Sequence, residues 1–316
     1  MSALLELDGV SRHFPQPRRG FGRRPVLRAV QDVSLQVAPG EVVGLVGESG
    51  SGKSTLGRVA LGLLPATAGR VRFAGQDLAA LRPRELRALR RQMQMVFQDP
   101  FASLNRSRSI GGAIAEVLKL HGLPHGTTEV AAALQRVGLE ASDATRRPRQ
   151  FSGGQRQRIA IARALAVQPR FLVADEPVSA LDVSVQAGIL RLLQEQRGAL
   201  GLAMLFISHD LTVVEAMADR VLVLYLGRVM EAGPAAAIFA APRHPYTAAL
   251  LAAAPGSFRA KLDLQGEIPS PAAPPSGCVF RTRCPFAVAE CTRVVPVLRN
   301  VEQRHAKACI RDDLAL

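Results

Sequence analysis

The feature that most constrains this chain is a glycine-rich octapeptide. Residues 47–54 read Gly-Glu-Ser-Gly-Ser-Gly-Lys-Ser, between a predicted apolar strand (41–46) and a predicted helix (55–63). Glycines at this spacing allow a tight turn whose N–H groups face phosphate oxygens, while the lysine and last serine suit phosphate and Mg²⁺. The octapeptide predicts a phosphate loop; a glycine- and serine-rich turn without a ligand is the alternative. The predicted contacts are Gly47, Glu48, Ser49, Gly50, Ser51, Gly52, Lys53, Ser54 and Thr55.

Composition favours a globular chain of about two domains. The 316 residues are 48% hydrophobic and carry a net charge of +14, and only four of the 40 basic residues are lysines. The arginines are spread along the chain and aromatic residues make up only 4%, so we expect no nucleic-acid partner. A GC-rich genome or a face near anionic lipid explains the charge equally well. No apolar run approaches the ~18 residues of a membrane span, and no secretory signal is visible, so we expect a cytosolic chain.

The order of predicted elements indicates an α/β fold with a helical insertion. Short strands with turns precede the phosphate loop, and residues of about 99–165 are mainly helical. We therefore expect a nucleotide-binding domain over residues 1–240. A proline-rich extension that carries four cysteines follows over residues 241–316. The predicted later elements are strands at 171–174 and 204–207, a helix at 185–198 and a hairpin of 221–225 with 228–231.

Two acids follow the predicted strand at 171–174. A carboxylate at the end of such a strand, here Asp175, can hold Mg²⁺ beside phosphates. The adjacent Glu176 can polarise an attacking water. A solvated acidic strand end is the alternative reading of the same two residues.

A second anion site is predicted at the start of a basic helix. Ser152 is a good N-cap residue, and the glycines after it expose backbone N–H groups at a helix N-terminus. An ordinary helix start is the alternative. The residues of this signature segment are Ser152, Gly153, Gly154 and Gln155.

Together with a downstream His209, these motifs resemble those of the nucleotide-binding subunits of ABC transporters, over residues of about 4–240. The resemblance implies ATP and Mg²⁺ as ligands, a P-loop ABC-type fold with a β-subdomain, and an ATPase activity. It implies that Ser54 and Asp175 hold Mg²⁺, that Glu176 orients the water and that His209 contacts the γ-phosphate. It also implies a head-to-tail dimer, in which the signature segment of one subunit closes over the nucleotide of the other.

Three further residues each resemble a functional residue of the family pattern. Gln98 resembles the glutamine that senses Mg²⁺ and the membrane partner, with a buried structural glutamine as the alternative. Asp182, in Ser179-Ala180-Leu181-Asp182, resembles a loop that crosses the dimer interface, with a helix cap as the alternative. Phe14 resembles the aromatic residue that stacks on adenine, with an ordinary strand phenylalanine as the alternative.

Residues 97–105, 175–184 and 243–247 resemble importers of the oligopeptide/dipeptide group, in the form of the F-type subunit of a paired D and F ATPase. This implies ATP hydrolysis that energises peptide import at the cytoplasmic face of the membrane. The implied partners are a D-type ATPase as heterodimer partner, two membrane permeases and an extracytoplasmic substrate-binding protein. Importers of nickel, glutathione and other small solutes share these motifs. A non-transport ABC ATPase acting on nucleic acid or ribosomes and a catalytically inactive subunit are the rivals, and the intact motifs disfavour the latter.

All four cysteines lie in the C-terminal extension, at Cys278, Cys284, Cys291 and Cys309. Their spacing lacks the C-x-x-C pairs usual for structural zinc, and four thiolates can hold a [4Fe–4S] cluster. The segment around the first two resembles the extension of peptide-importer ATPases, where the family carries such a cluster. Zinc and unligated thiols remain alternatives, and His305 is a spare ligand. No chemical role follows for His244 and Tyr246, for which we expect docking of the C-terminal segment.

Overall fold

The structure is a computed structural model that describes residues 3–17, 25–99, 104–179, 181–254, 257, 259, 262, 264, 266–302, 304–314 and 316. Residues 100–103 and Ala180, which belong to two of the motifs above, lie outside this range. The chain divides into two compact units. The first comprises Met1–Val37, Val42–Ala79 and Ser208–Leu316, and the second comprises Ala38–Glu41 and Ala80–Ile207.

An antiparallel sheet forms one part of the first unit. Strand β1 (Leu5–Pro15) pairs with β2 (Val26–Val37) on one side and with β4 (Ala68–Phe73) on the other. The other edge of β4 pairs with β5 (Gln76–Asp77). The first residues of β1 alternate between buried and more exposed positions, as the two-residue period of a strand requires when one face is covered. This sheet is the β-subdomain that the family resemblance implies.

A second group of strands in the first unit carries the phosphate loop, which comes directly after strand β3 (Val42–Val46). Strand β3 is buried along its whole length and runs parallel to β9 (Arg220–Tyr225). A hairpin joins β9 to β10 (Arg228–Pro234), and β12 (His305–Lys307) and β11 (Arg299–Glu302) continue the antiparallel pairing. The C-terminal extension thus supplies two strands to the sheet that carries the loop. The helices of this unit are α1 (Lys53–Ala60), α7 (Leu211–Met217), α8 (Ala235–Ala240), α9 (Pro245–Ala253) and a 3₁₀ turn at Ala289–Thr292.

The second unit is a parallel sheet with helices. Strand β7 (Phe171–Asp175) lies between β6 (Met93–Val96) and β8 (Ala203–Ile207), and all residues of β7 and β8 are buried. Such continuous burial is typical of parallel strands, whose two faces are both covered. The helices of this unit are α2 (Pro83–Leu89), α3 (Ile110–Leu120), α4 (Thr127–Gln135), α5 (Gly153–Leu165) and α6 (Val183–Leu200), with 3₁₀ turns at Ala141–Thr145 and Pro148–Gln150.

The predicted α/β fold with a helical insertion and a hairpin is confirmed, and the differences have local causes. The helix after the loop starts at Lys53 and ends at Ala60, because Gly62 adopts a left-handed conformation just before the predicted end at residue 63. The sequence predicts no helix in the proline-rich extension, but residues Pro245–Ala253 form helix α9. It is buried on nearly all sides, so its sequence lacks the amphipathic period by which a half-exposed helix is recognised.

Candidate active site

The phosphate loop is shaped by two glycines that tolerate no side chain. Gly47 has φ 145° and Gly52 has φ 102°, both outside the range that other residues adopt readily. A Cβ atom on Gly47 would lie 2.1 Å from the Leu224 carbonyl oxygen, and one on Gly52 would lie 2.1 Å from that of Ala29. The loop therefore lies directly against the neighbouring backbone and leads straight into α1, whose N-terminal N–H groups favour an anion.

The Lys53 side chain lies inside the phosphate loop and binds its backbone. Its side chain is 5% exposed, and Nζ donates to the carbonyl oxygens of Gly47 (2.7 Å) and Glu48 (2.9 Å). Ser51 is also buried, and its carbonyl oxygen accepts from the Gly227 amide at 2.9 Å. Ser49 and Gly50 are exposed at the tip, and Ser54 and Thr55 are half-buried in the first turn of α1. The predicted phosphate contacts are thus brought together in a loop that has its ammonium group in place.

Glu48 is held by two residues of the C-terminal extension. Its backbone N–H donates to the Tyr246 hydroxyl at 2.9 Å, and its carboxylate accepts two hydrogen bonds from Arg283, at 2.6 and 3.0 Å. This pairing raises the pKa of the Arg283 guanidinium above its usual value. Sequence reasoning missed Arg283. Its only signal was an arginine between two cysteines, 235 residues from its partner.

Tyr246 belongs to a buried aromatic cluster with Tyr225 and Phe280. The ring centroids are 4.8 Å (Tyr225–Tyr246), 5.2 Å (Tyr246–Phe280) and 5.3 Å (Tyr225–Phe280) apart. His244 precedes this tyrosine and accepts a hydrogen bond from its amide through Nδ1 at 3.0 Å, and burial lowers the pKa of His244 to about 4. The expected docking role of His244 and Tyr246 agrees with these contacts, because the cluster joins α9 to the cysteine segment.

The acidic pair lies in the second unit. Asp175 is 2% exposed at the end of β7, and Glu176 follows it with φ 47°, a left-handed conformation that is rare for a non-glycine residue. Such strain costs on the order of 1–3 kcal/mol and tends to occur at functional sites. The Gln98 side chain donates to Glu176 Oε2 at 2.7 Å. Gln98 is exposed rather than buried, which disfavours the purely structural alternative.

The signature segment forms a complete capping box at the start of α5. Ser152 Oγ accepts from the Gln155 amide at 3.3 Å, and Gln155 Oε1 accepts from the Ser152 amide at 3.0 Å. A cap of this kind is worth roughly 1 kcal/mol. Ser152 and Gly153 are exposed, whereas a Cβ atom on Gly154 would lie 2.3 Å from Val185 Cγ1. The exposed pair leaves the helix N-terminus open to an anion.

The remaining predicted residues occupy varied positions. His209 is exposed between β8 and α7, in the same unit as the phosphate loop. Asp182 is the N-cap residue of α6, but its side chain makes no capping hydrogen bond, which weakens the helix-cap alternative. The Arg12 guanidinium lies 4.5 Å from the centroid of the Phe14 ring, so an adenine base would meet a ring already engaged in a cation–π contact.

All four cysteines line one small cavity in the first unit, which we call the thiol cavity. Cys278 and Cys291 are buried and joined by a backbone hydrogen bond of 2.9 Å, and Cys284 and Cys309 are half-buried. Burial raises the pKa of the Cys284 thiol to about 11 and also raises those of Cys278 and Cys309. His305 is not a spare ligand, because its Nε2 lies 2.7 Å from the buried carboxylate of Glu231.

No three histidine, cysteine, aspartate or glutamate side chains within the described part of the chain are placed to hold a single metal ion. Within the same residues, no helix combines the length and the apolar character of a membrane span.

Comparison with protein families matches the chain twice. A family described as "ABC transporter" matches residues 30–179, and a family described as "Oligopeptide/dipeptide transporter, C-terminal region" matches residues 230–291. Two solved structures have the same fold. CbiO1 of Clostridium perfringens, described as part of an ABC transporter complex, aligns with a TM-score of 0.65 and 28% identity over 76% of this chain and 92% of its own. A dimeric ATP-binding cassette in a post-hydrolysis state with ADP and Pi aligns with a TM-score of 0.64 and 29% identity, over 73% and 98%.

Relatives match almost end to end. A Brucella ovis protein named for peptide import and ATP binding is 51% identical over 320 residues, 98% of each chain. The oligopeptide transport ATP-binding protein OppF of Escherichia coli is 46% identical over 323 residues, covering 98% of this chain and 96% of that protein. With such identity along its whole length, the chain belongs to the ABC transporter family, as an ATP-binding subunit that hydrolyses ATP.

Proposed function

We propose that this chain is the F-type ATPase subunit of a peptide importer. The observation that carries the proposal is a phosphate loop, preorganised around Lys53, in a chain whose residues 230–291 match the C-terminal region of oligopeptide/dipeptide transporters. The relatives named above add support, because their names refer to peptide import and oligopeptide transport. The nucleotide-binding domain then comprises residues 1–240, with the helical subdomain at about 99–165, and the extension comprises residues 241–316.

Each predicted site residue receives one role in ATP hydrolysis. The loop and the N-terminus of α1 hold the phosphates, Lys53 contacts their oxygens, and Ser54 and Asp175 hold Mg²⁺. Glu176 orients and polarises the attacking water, with Gln98 on its carboxylate as the Mg²⁺ sensor. His209 contacts the γ-phosphate. Phe14 stacks on the adenine ring.

The second anion site is explained by dimerisation. The exposed Ser152 and Gly153 act on the nucleotide of a D-type ATPase partner, with Asp182 at the interface. A solved relative described as dimeric and bound to ADP and Pi supports this arrangement. We infer two permeases and an extracytoplasmic binding protein as the other partners, so that the chain works at the cytoplasmic face of the membrane. A nickel, glutathione or other small-solute importer is the alternative.

The chain alone will be a poor ATPase, because half of each catalytic site comes from the other subunit. Addition of the D-type partner and the permeases should raise kcat by roughly 10²-fold, the typical effect of one set of preorganised donors. The measurement is phosphate release by a verified monomer and by the reconstituted transporter. Full activity in the monomer, independent of concentration, would contradict the composite site.

The substrate is tested in the same reconstituted transporter. Short peptides on the binding protein should stimulate ATP hydrolysis and accumulate inside vesicles, whereas nickel and glutathione should do neither. Stimulation by one of those solutes in place of peptides would establish the alternative importer and exclude the peptide assignment.

The donor set of the thiol cavity suits a [4Fe–4S] cluster. A cluster is larger than one ion, so its thiolates lie further apart than the ligands of a single metal. Arg281 and Arg311 also line the cavity and offset the negative charge of four thiolates. A bound cluster would contribute folding free energy to a segment with few apolar residues, as a structural staple. Zinc and free thiols are the alternatives.

Anaerobically purified chain should contain about four irons and absorb broadly near roughly 400 nm. Any one Cys→Ser change, for example Cys291→Ser, should remove most of the iron because the cluster needs all four ligands. Thr282→Ser, an exposed change between two of the cysteines, is the matched control and should keep it. Stoichiometric zinc without sulfide would replace the cluster by a zinc site, and four thiols that react freely with alkylating agents would exclude any metal.

A further inference from the structure

Glu48 is held at three of its groups. Its carbonyl oxygen accepts from Lys53, its amide donates to the Tyr246 hydroxyl, and its carboxylate accepts the fork of Arg283. The Arg283 side chain is 9% exposed and that of Glu48 is 24% exposed, so water screens this pair less than it screens a surface ion pair. A bidentate pair restricts orientation as well as distance. The second residue of the phosphate loop thus has its conformation set from outside the loop.

Arg283 stands in a short loop whose ends are cysteines. Residues 278–284 form this thiol loop, in which the Arg281 amide donates to the Cys278 carbonyl (3.1 Å) and the Arg283 amide donates to that of Phe280 (3.0 Å). The Cys278 amide in turn donates a hydrogen bond to the Cys291 carbonyl. The guanidinium can reach Glu48 only while this loop keeps its shape, and both of its terminal thiols line the thiol cavity.

We infer that Arg283 is a positioning residue for the phosphate loop, and that it couples the state of the four cysteines to the affinity of the chain for ATP. The inference rests on the proposed binding of ATP at residues 47–54 and of a metal group by the four cysteines, and it requires that the thiol loop changes shape when that group is lost. With the thiol loop in place, Glu48 is ordered before nucleotide arrives. Without the thiol loop in place, Glu48 must become ordered when ATP binds, and this cost lowers the affinity for ATP.

The first test compares Arg283→Met with Arg293→Met, an exposed arginine two residues after Cys291 that undergoes the same change. Binding of ATP to the full, anaerobically purified chain should weaken about tenfold for Arg283→Met, the equivalent of roughly 1.4 kcal/mol, and remain at the parent value for the control. Hydrogen exchange at the Glu48 amide should quicken while the melting temperature of the chain changes little. In the assembled transporter, KM for ATP should rise and kcat should be retained.

Arg283→Lys is the conservative variant, and it decides the question if Arg283→Met does not fold. It keeps the charge but not the two-pronged contact, so it should restore part of the affinity and leave a deficit of about two- to threefold. In a cycle with Glu48→Gln, the effect of changing Arg283 should largely disappear, because the inference assigns its action to the contact with that carboxylate. Additive effects would show that Arg283 acts elsewhere.

The coupling to the cysteines is tested with Cys284→Ser. This variant should weaken ATP binding about as much as Arg283→Met. The double variant should bind ATP no more weakly than either single variant, since both changes break the same path from the cysteines through Arg283 to Glu48. Parent-like ATP affinity in Arg283→Met, or in Cys284→Ser chain shown to have lost its metal, would overturn the inference. Failure of the parent chain to bind ATP at all would instead refute the proposed nucleotide site, so the two failures are distinct.

Discussion

Replacement of Glu176 by glutamine should leave ATP bound but lower kcat by a factor on the order of 10²–10⁴. Glutamine has nearly the same size and still accepts the hydrogen bond from Gln98, but it cannot take a proton or polarise water as a carboxylate does. The left-handed backbone at Glu176 supports this role, because a strained conformation persists where the surrounding structure holds it. The closed dimer with ATP should accumulate, since hydrolysis no longer opens it.

This measurement uses the reconstituted transporter with the partner's own site inactivated beforehand. Glu195→Gln is the matched control. It is an exposed glutamate in the second unit, and its ion pair with Arg191 is of the surface type that contributes little. We expect parent turnover from this control. Near-normal turnover in the Glu176 variant would refute the proposal that Glu176 polarises the attacking water. Asp175 or a backbone group would then be the remaining candidate for that role.

Replacement of Lys53 by alanine should weaken ATP binding at least about a hundredfold, or roughly 2.7 kcal/mol. The buried ammonium group donates to the loop carbonyls of Gly47 and Glu48, and we propose that it contacts phosphate when nucleotide binds. Its removal takes away a charge-assisted contact and the brace inside the loop, and both losses act on binding rather than only on chemistry.

The readout for Lys53→Ala is equilibrium binding of ATP to the isolated chain, which needs no partner. Lys119→Ala, at an exposed position near the end of α3, removes the same charge and should bind as the parent does. Unchanged affinity in Lys53→Ala would mean that nucleotide is not held by this loop. Intact binding with lost turnover would assign the lysine to the transition state instead.

Several parts of this site are predictable because their cause is local. Ser152 and Gln155 cap a helix through atoms three residues apart, and the glycines of the phosphate loop impose a turn that few other residues allow. Strand β7, buried along its length, is predictable for a similar reason, since its run of apolar residues is itself the signal. Neighbouring residues suffice for each of these features.

The features that were missed depend on distant partners. Helix α9 has no amphipathic period because almost every side of it is covered, and Pro245 stands in its first turn, where proline is a normal helix start. Strand β12 is only three residues long and is held by hydrogen bonds to β10 and β11. No short window of sequence contains the information for either element.

The sequence by itself determined which chemistry this chain has: a phosphate loop with its lysine, two acids after a buried strand, a capped helix with an exposed glycine, and four cysteines in one segment. Only the tertiary structure decided that the cysteines share a cavity and that Arg283 reaches Glu48 across 235 positions of sequence. The physical reason is that backbone turns and caps are fixed by local sterics and hydrogen bonds, whereas a contact between distant residues forms only once packing of the whole unit has offset the entropy of closing the chain between them.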